Sequence, residues 1–138
     1  MPYEGENPPY SEPDVELDEL ARAVIGAAIE VHRRMGPGLE ESLYSGALCI
    51  ELRQRQIPFE RQVEVPVSYR DELVGRRRLD LLVGGRLVVE LKAVEMLTPL
   101  HAAQVRTYLK ITNLKLGLLI NFNSIILKDG IKRVINPT

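Results

Sequence analysis

The chain has 138 residues, 45% of them apolar, with a formal net charge of −1 and no Trp. That is enough for one soluble globular domain to bury its core without staples. A single cysteine, Cys49, excludes an internal disulfide framework and fits a reducing compartment. No apolar run approaches membrane-spanning length, and the acidic, proline-rich N-terminus is unlike a signal peptide, so the expected location is cytoplasmic with no membrane association.

The near-neutral charge is unevenly spread. The first 20 residues hold seven acids and no Lys or Arg, which leaves residues 21–138 with 18 basic and 12 acidic side chains, a net of +6. A basic folded part suits a polyanionic partner, although scattered arginines also serve simply to solvate a surface.

In chain order, residues 1–16 (MPYEGENPPYSEPDVE) read as an acidic, proline-rich flexible tail, a solubilising extension ahead of a folded domain over 17–138. Asp18 can cap a helix with Leu20, Val24, Ala27, Ala28 and Val31 at helical spacing, ended by Met35-Gly36-Pro37-Gly38. A second helix carries Leu39, Leu43, Ala47, Leu48 and Leu52 on its expected inner face and runs to about Arg55. Phe59–Tyr69 alternates as a strand, with Pro66 pointing to an edge position or a bulge. Asp71 to Gly75 is expected to turn, and Arg76–Val83 and Arg86–Ala93 to form a hairpin. Thr98-Pro99 predicts a helix start, with Thr98 as N-cap, and a helix to about Ile111. Lys115–Phe122 reads as a buried strand and Ile131–Ile135 as the last one. The order ααβββαββ implies an α/β or α+β domain with one mixed sheet and helices against it.

The hairpin concentrates the chemistry. Asp80 stands in Leu79-Asp80-Leu81-Leu82 and Glu90 and Lys92 in Val89-Glu90-Leu91-Lys92, ionised groups inside runs that otherwise read as buried strand. Burying them is costly unless they are paired or bound to a metal. A two-residue Gly84-Gly85 turn would pair Asp80 with Val89 and put the two acids on opposite faces. A three-residue turn through Arg86 would set Asp80 directly across from Glu90. With the longer turn, Asp80 and Glu90 could share Mg²⁺ or Mn²⁺ through oxygen, with the Leu91 carbonyl completing the shell. Lys92 would then orient or help deprotonate an attacking water and offset charge as the phosphorane develops. A buried ion pair between Lys92 and one acid is the plainer alternative.

Around this core lie weaker signals. Glu41 and Tyr44 are three apart on the second helix and share a face, with Leu43 expected to point to the inner stripe. Glu41 could be a third or water-mediated metal ligand, or only a first-turn acid favoured by the helix dipole. His101, Gln104 and Tyr108 form a polar stripe on the third helix. Gln104 could hold a phosphate or a base edge and Tyr108 could pack under the site, whereas a lone polar stripe is usually a solvated face.

Taken together, Gly38-x-x-Glu41-x-x-Tyr44, Asp80 followed by Glu90-x-Lys92, and Gln104-x-x-x-Tyr108 resemble the GxxExxY proteins, a family placed in the PD-(D/E)XK nuclease superfamily. The similarity spans about residues 17–137 and includes Gly117-Leu-Leu-Ile-Asn-Phe and Lys128-Asp-Gly-Ile-Lys-Arg. It implies an α/β, PD-(D/E)XK nuclease-like core with a mixed central sheet flanked by helices. It also implies Mg²⁺ (or Mn²⁺) held by Asp80 and Glu90, and Lys92 as the catalytic lysine. By the same resemblance Glu41 matches the acidic residue of the first core helix, and Gln104 and Tyr108 match the QxxxY element of RecB-type and lambda-type exonucleases.

The expected function is therefore a Mg²⁺-dependent nuclease with a nucleic-acid partner, DNA foremost. The competing function is a catalytically silent nuclease-fold module that binds nucleic acid or a protein. Small size and near-neutral net charge fit a homodimer or a part of a larger complex.

Overall fold

The computed structural model describes residues 13–136. The first helix, α1 (Val15–Met35), starts one turn earlier than its periodicity indicated. Asp14, not Asp18, is the N-cap, its Oδ1 accepting the Leu17 N–H at 2.9 Å. Of the segment read as a tail, residues 1–12 lie outside the described residues, whereas 13–16 belong to the cap and first turn of α1. Asp14 and Asp18 pair with Arg86 and Arg133 of the folded body, so the acids at this helix start neutralise part of the basic domain.

Helix α2 (Glu41–Gln54) buries Tyr44, Ser45, Leu48, Cys49 and Leu52. Leu39 and Leu43, expected inside, are exposed. The helix is rotated because Tyr44 is its anchor. The Tyr44 ring stacks on Phe122 with centroids 4.6 Å apart. Its hydroxyl donates to the Gly36 carbonyl at 2.5 Å and accepts the Leu39 N–H at 3.0 Å.

Strands β1 (Phe59–Tyr69) and β2 (Glu72–Val83) form a long hairpin. Its turn is Arg70-Asp71 rather than Asp71–Gly75, with φ of 50° and 66° at those two residues, the left-handed pair that a two-residue hairpin requires. Gly75 instead lies at a register shift opposite Val67/Ser68. Pro66 sits beside that bulge on the edge strand, where its missing N–H costs least.

Strand β3 (Leu87–Lys92) follows, then α3 (Pro99–Thr112), β4 (Leu116–Asn121), a single 3₁₀ turn (Leu127–Gly130) and β5 (Ile131–Ile135). The sheet order is β1-β2-β3-β4-β5; β3 and β4 run parallel, joined by the α3 crossover, and the other pairs among the described residues are antiparallel. This is the mixed α/β sheet that the element order implied.

Each face of the sheet has its own core. Helices α1 and α2 cover Leu81, Val83, Leu87, Val89, Leu91, Leu116, Leu118 and Ile120. Helix α3 covers a smaller cluster of Val65, Leu79, Val88, Leu119 and Val134 with its own Val105, Tyr108 and Leu109. Gly117 lets α3 approach closely, since a Cβ there would stand 2.6 Å from Val105 Cγ1. Among the described residues no helix is long and apolar enough to cross a membrane.

Candidate metal and catalytic site

The turn between β2 and β3 settles the register. Val83 pairs with Leu87, Val88 with Leu82 and Val89 with Leu81, so three residues, Gly84, Gly85 and Arg86, make the loop. Gly84 (φ 60°) and Gly85 (φ 70°) take the left-handed conformations it needs. Continued by one step, the same register sets Asp80 across from Glu90.

The backbone ladder stops there, and the side chains take over. The Asp80 N–H donates to Glu90 Oε2 at 2.7 Å. The Leu91 N–H donates to Asp80 Oδ2 at 2.8 Å. Each acid thus satisfies a backbone donor on the opposite strand and holds β2 and β3 apart at this level.

A kink explains where Asp80 points. Leu81 and Arg61 lie on the α1/α2 side, Leu81 in that core and Arg61 reaching Ser45 Oγ at 3.4 Å. Two residues along, Leu79 and Val63 belong to the α3 side. Side chains two apart on a regular strand share a face, so both strands rotate between these levels. The residues at the rotation are Asp80 and Gln62, whose φ of 51° is left-handed. A non-glycine residue in that region is strained, and such strain concentrates at functional positions.

On β3 alternation is regular. Leu87, Val89 and Leu91 face α1/α2, and Val88 faces α3. Glu90 and Lys92 therefore face α3. Glu90 is 5% exposed, and burial, with the Asp80 charge next, pushes its carboxyl up to about 8. Burial also raises Asp80, opposed by the Leu91 N–H and Lys92. Glu41, at the first turn of α2, is solvent-exposed, yet partial desolvation, with the Asp80 charge next, raises its carboxyl, with Lys92 opposing. Three acids and one lysine from α2, β2 and β3 thus share one electrostatic neighbourhood.

Helix α3 brings Tyr108 to the same place. It is buried, and its hydroxyl is raised by burial and by the charge of Glu90, with Arg77 opposing. Gln104 lies one turn earlier on that face of α3, partly buried. His101 has a local task instead, its Nδ1 accepting the Thr98 N–H at 3.0 Å at the start of α3.

Sequence reasoning passed over two residues here. Asn121, 3% exposed, is the cross-strand neighbour of Lys92. Its Oδ1 accepts the Val94 N–H at 3.0 Å and its Nδ2 donates to the Val94 carbonyl at 2.9 Å, clamping the chain as it leaves Lys92. An Asn in the apolar run Lys115–Phe122 was the available signal. The other is Arg77, whose place beside Tyr108 depends on the kink.

The donor set suits a hard divalent cation. Among the described residues no ion pair reaches Asp80, Glu90, Glu41 or Lys92, so a Lys92–carboxylate pair does not explain the buried acids. Also among the described residues, no three His, Cys, Asp or Glu side chains stand together as a ready metal cage. Two carboxylates facing one another, with water and substrate oxygens left to complete an octahedron, is nevertheless the usual way Mg²⁺ is bound. The polar groups of Leu91 face β2, as its N–H shows, while the Lys92 carbonyl faces β4 and accepts the Phe122 N–H at 2.9 Å. The Leu91 carbonyl therefore lies on the Asp80 side of the strand.

A family model of the PD-(D/E)XK nuclease superfamily matches residues 18–134. The chain belongs to that superfamily. Among solved structures, the crystal structure of SSO0001 superposes on this PD-(D/E)XK chain with a TM-score of 0.52 at 20% identity, over 89% of this chain and 59% of that one. At that identity the likeness concerns the fold, and the chain spans 59% of the length of its structural relative. No curated protein matches by sequence. For a member of this superfamily the acid-and-lysine neighbourhood at Asp80, Glu90 and Lys92 lies at the point of the sheet where β2 and β3 part.

Proposed function

We propose that the protein is a divalent-metal-dependent nuclease that hydrolyses phosphodiester bonds in nucleic acid, with DNA as the foremost substrate. The observation that carries this reading is the opposed acid pair. Asp80 and Glu90 meet at a largely buried point of the sheet, held by backbone N–H groups at 2.7 and 2.8 Å, and among the described residues neither forms an ion pair.

In this reading Asp80, Glu90 and the Leu91 carbonyl would hold Mg²⁺ or Mn²⁺, with Glu41 contributing directly or through a water. When bound, such an ion would supply Lewis-acid polarisation of a phosphoryl oxygen and acidify a water at the site. Lys92, on the same face as Glu90, orients the attacking water and offsets the charge that gathers on the phosphoryl oxygens. Tyr108 and Gln104 present a hydroxyl and an amide from α3 to the phosphates or a base edge of the bound strand. Asn121 fixes the chain beside Lys92. The combination of Gly38, Glu41, Tyr44, Asp80, Glu90, Lys92, Gln104 and Tyr108 supports placing the chain with the GxxExxY branch.

Thermal melting with Mg²⁺ or Mn²⁺, followed by cleavage assays on DNA and RNA, tests the proposal. Metal binding to the native state raises the melting temperature by mass action. The rise is expected in wild type and not in Asp80→Ala. Lys92→Ala should keep the metal-induced rise and lose about 10²–10⁴-fold in cleavage rate. Wild type that binds nucleic acid in Mg²⁺ without cutting it would instead identify a silent binding module.

A further inference from the structure

Three arginines in a row on β2, Arg76, Arg77 and Arg78, do not do the same thing. Strand alternation sends the middle one to the face opposite its neighbours. Arg78 is the cross-strand partner of Glu64, and Arg76 is one step away on that same side. Both guanidinium groups lie near the Glu64 carboxylate, at 3.9 Å for Arg76 and 3.7 Å for Arg78. Arg77 pairs across the strand with Val65. Val65 is 3% exposed and belongs to the cluster that contains Tyr108. Arg77 is thereby placed on the α3 face, the face of Glu90 and Lys92.

Among the described residues Arg77 forms no ion pair. Its guanidinium lies beside the Tyr108 hydroxyl, which in turn feels Glu90 and Asp80. It is exposed to solvent. The strand that carries it is also unusual. β1 and β2 have 11 and 12 residues against 6 in β3, and β3 pairs only with Leu81–Val83. Just beyond the kink Leu79 and Val65 still pack under α3; past them the hairpin continues as a two-stranded arm that ends in exposed Tyr69, Leu73 and Val74.

We infer, building on the nuclease reading above, that Arg77 is a substrate-binding residue that grips a backbone phosphate of the nucleic acid next to the one being cut, with the projecting arm lying along the strand. A guanidinium is a planar, permanently charged donor fork suited to phosphate. The Tyr108 hydroxyl is its electrostatic neighbour on that face. Arg76 and Arg78, engaged with Glu64 on the other side, are outside this contact. The assignment concerns the phosphate backbone and so carries no sequence preference of its own.

The test is anisotropy of a fluorescein-labelled DNA duplex over a salt series in Mg²⁺, with Lys92→Ala as the non-cutting parent. Adding Arg77→Ala should weaken binding roughly tenfold and lower the salt slope by about 1, equally for unrelated sequences. Arg77→Glu should weaken it further, and Arg77→Lys should restore most of it. Arg76→Ala and Arg78→Ala should change affinity less than about twofold. Melting temperatures of all variants in Mg²⁺ report that the fold and the metal site are intact. Parent and Arg77→Ala with the same affinity and slope would overturn the assignment while leaving the nuclease reading in place. Equal losses for all three arginines would overturn it too, since general surface charge would then suffice. A parent that binds neither DNA nor RNA overturns the nuclease reading itself. Arg77→Glu that changes oligomeric state in size exclusion, with DNA binding unaltered, would show that the arm meets a second copy of the chain instead.

Discussion

On the α1/α2 face of the sheet, leucines, valines and an isoleucine from β2, β3 and β4 form an unbroken apolar layer under two helices. On the α3 face the apolar layer is smaller and is interrupted by Glu90 and edged by Lys92, Tyr108 and Arg77. Both layers use the same strands, often adjacent residues: Val89 and Leu91 on one side, Glu90 and Lys92 on the other. Stability and chemistry are separated here by strand alternation rather than by domain or loop. The buried Glu90 carboxyl is tolerated because it accepts the Asp80 N–H and because burial shifts it towards its neutral form.

The sharpest way to break this comparison is to cut the apolar face. Leu118→Ala, at a fully buried position under α1 and α2, should cost about 2–5 kcal/mol in denaturant unfolding. A loss comparable to an exposed substitution would show that this face is not the principal source of stability.

Glu90→Gln should act in the opposite direction. Gln keeps an acceptor for the Asp80 N–H and removes the buried charge. In the unfolded chain Glu90 ionises near its ordinary value of 4.5, but burial in the fold pushes it up to about 8. The protonated form is thus favoured by folding, and stability from this group is complete below 4.5 and lost as pH rises towards 8. Metal-free Glu90→Gln should therefore melt above wild type at pH 8, with the gap closing towards pH 4.5. Mg²⁺ should raise wild type at the higher pH and leave the variant nearly unmoved. A variant that melts below wild type throughout would mean that the carboxylate is stabilising and the α3 face is not under electrostatic load.

The smallest effect is expected at the boundary between the two regimes. Gln62, at φ 51° opposite Asp80, pays for a left-handed conformation that glycine adopts freely. Gln62→Gly should stabilise the protein by about 1 kcal/mol or leave it unchanged, the relief being offset by glycine's greater unfolded-state entropy. A loss of more than that, seen by chemical denaturation, would place the cause of the kink elsewhere.

Much of this was legible in the chain. The limits of β1 and β5, the cap and Pro at the start of α3, and the mixed order of elements follow from alternation and breaker residues, which act locally. The opposition of Asp80 and Glu90 was reducible to a choice between two turn lengths at Gly84-Gly85. Other features were hidden for physical reasons. The face of α2 was assigned by its leucines, whereas Tyr44, bridging Gly36 and Leu39 and stacked on Phe122, sets the rotation. The β1–β2 turn uses Arg70-Asp71, two residues that carry no glycine signal, so Gly75 drew the turn to itself although it marks a bulge.

Local patterning was enough to reveal the strands, the helices and the ionised residues of the hairpin, because period and turn chemistry are properties of neighbouring residues. Tertiary structure alone decided which side each charge faces. The rotation at Gln62 and Asp80, the closeness of α3 over Gly117 and the approach of Glu41 from α2 all arise from contacts between elements distant in the chain. Those contacts place Arg77, Tyr108 and Glu41 around one acid pair that strand spacing could only set side by side.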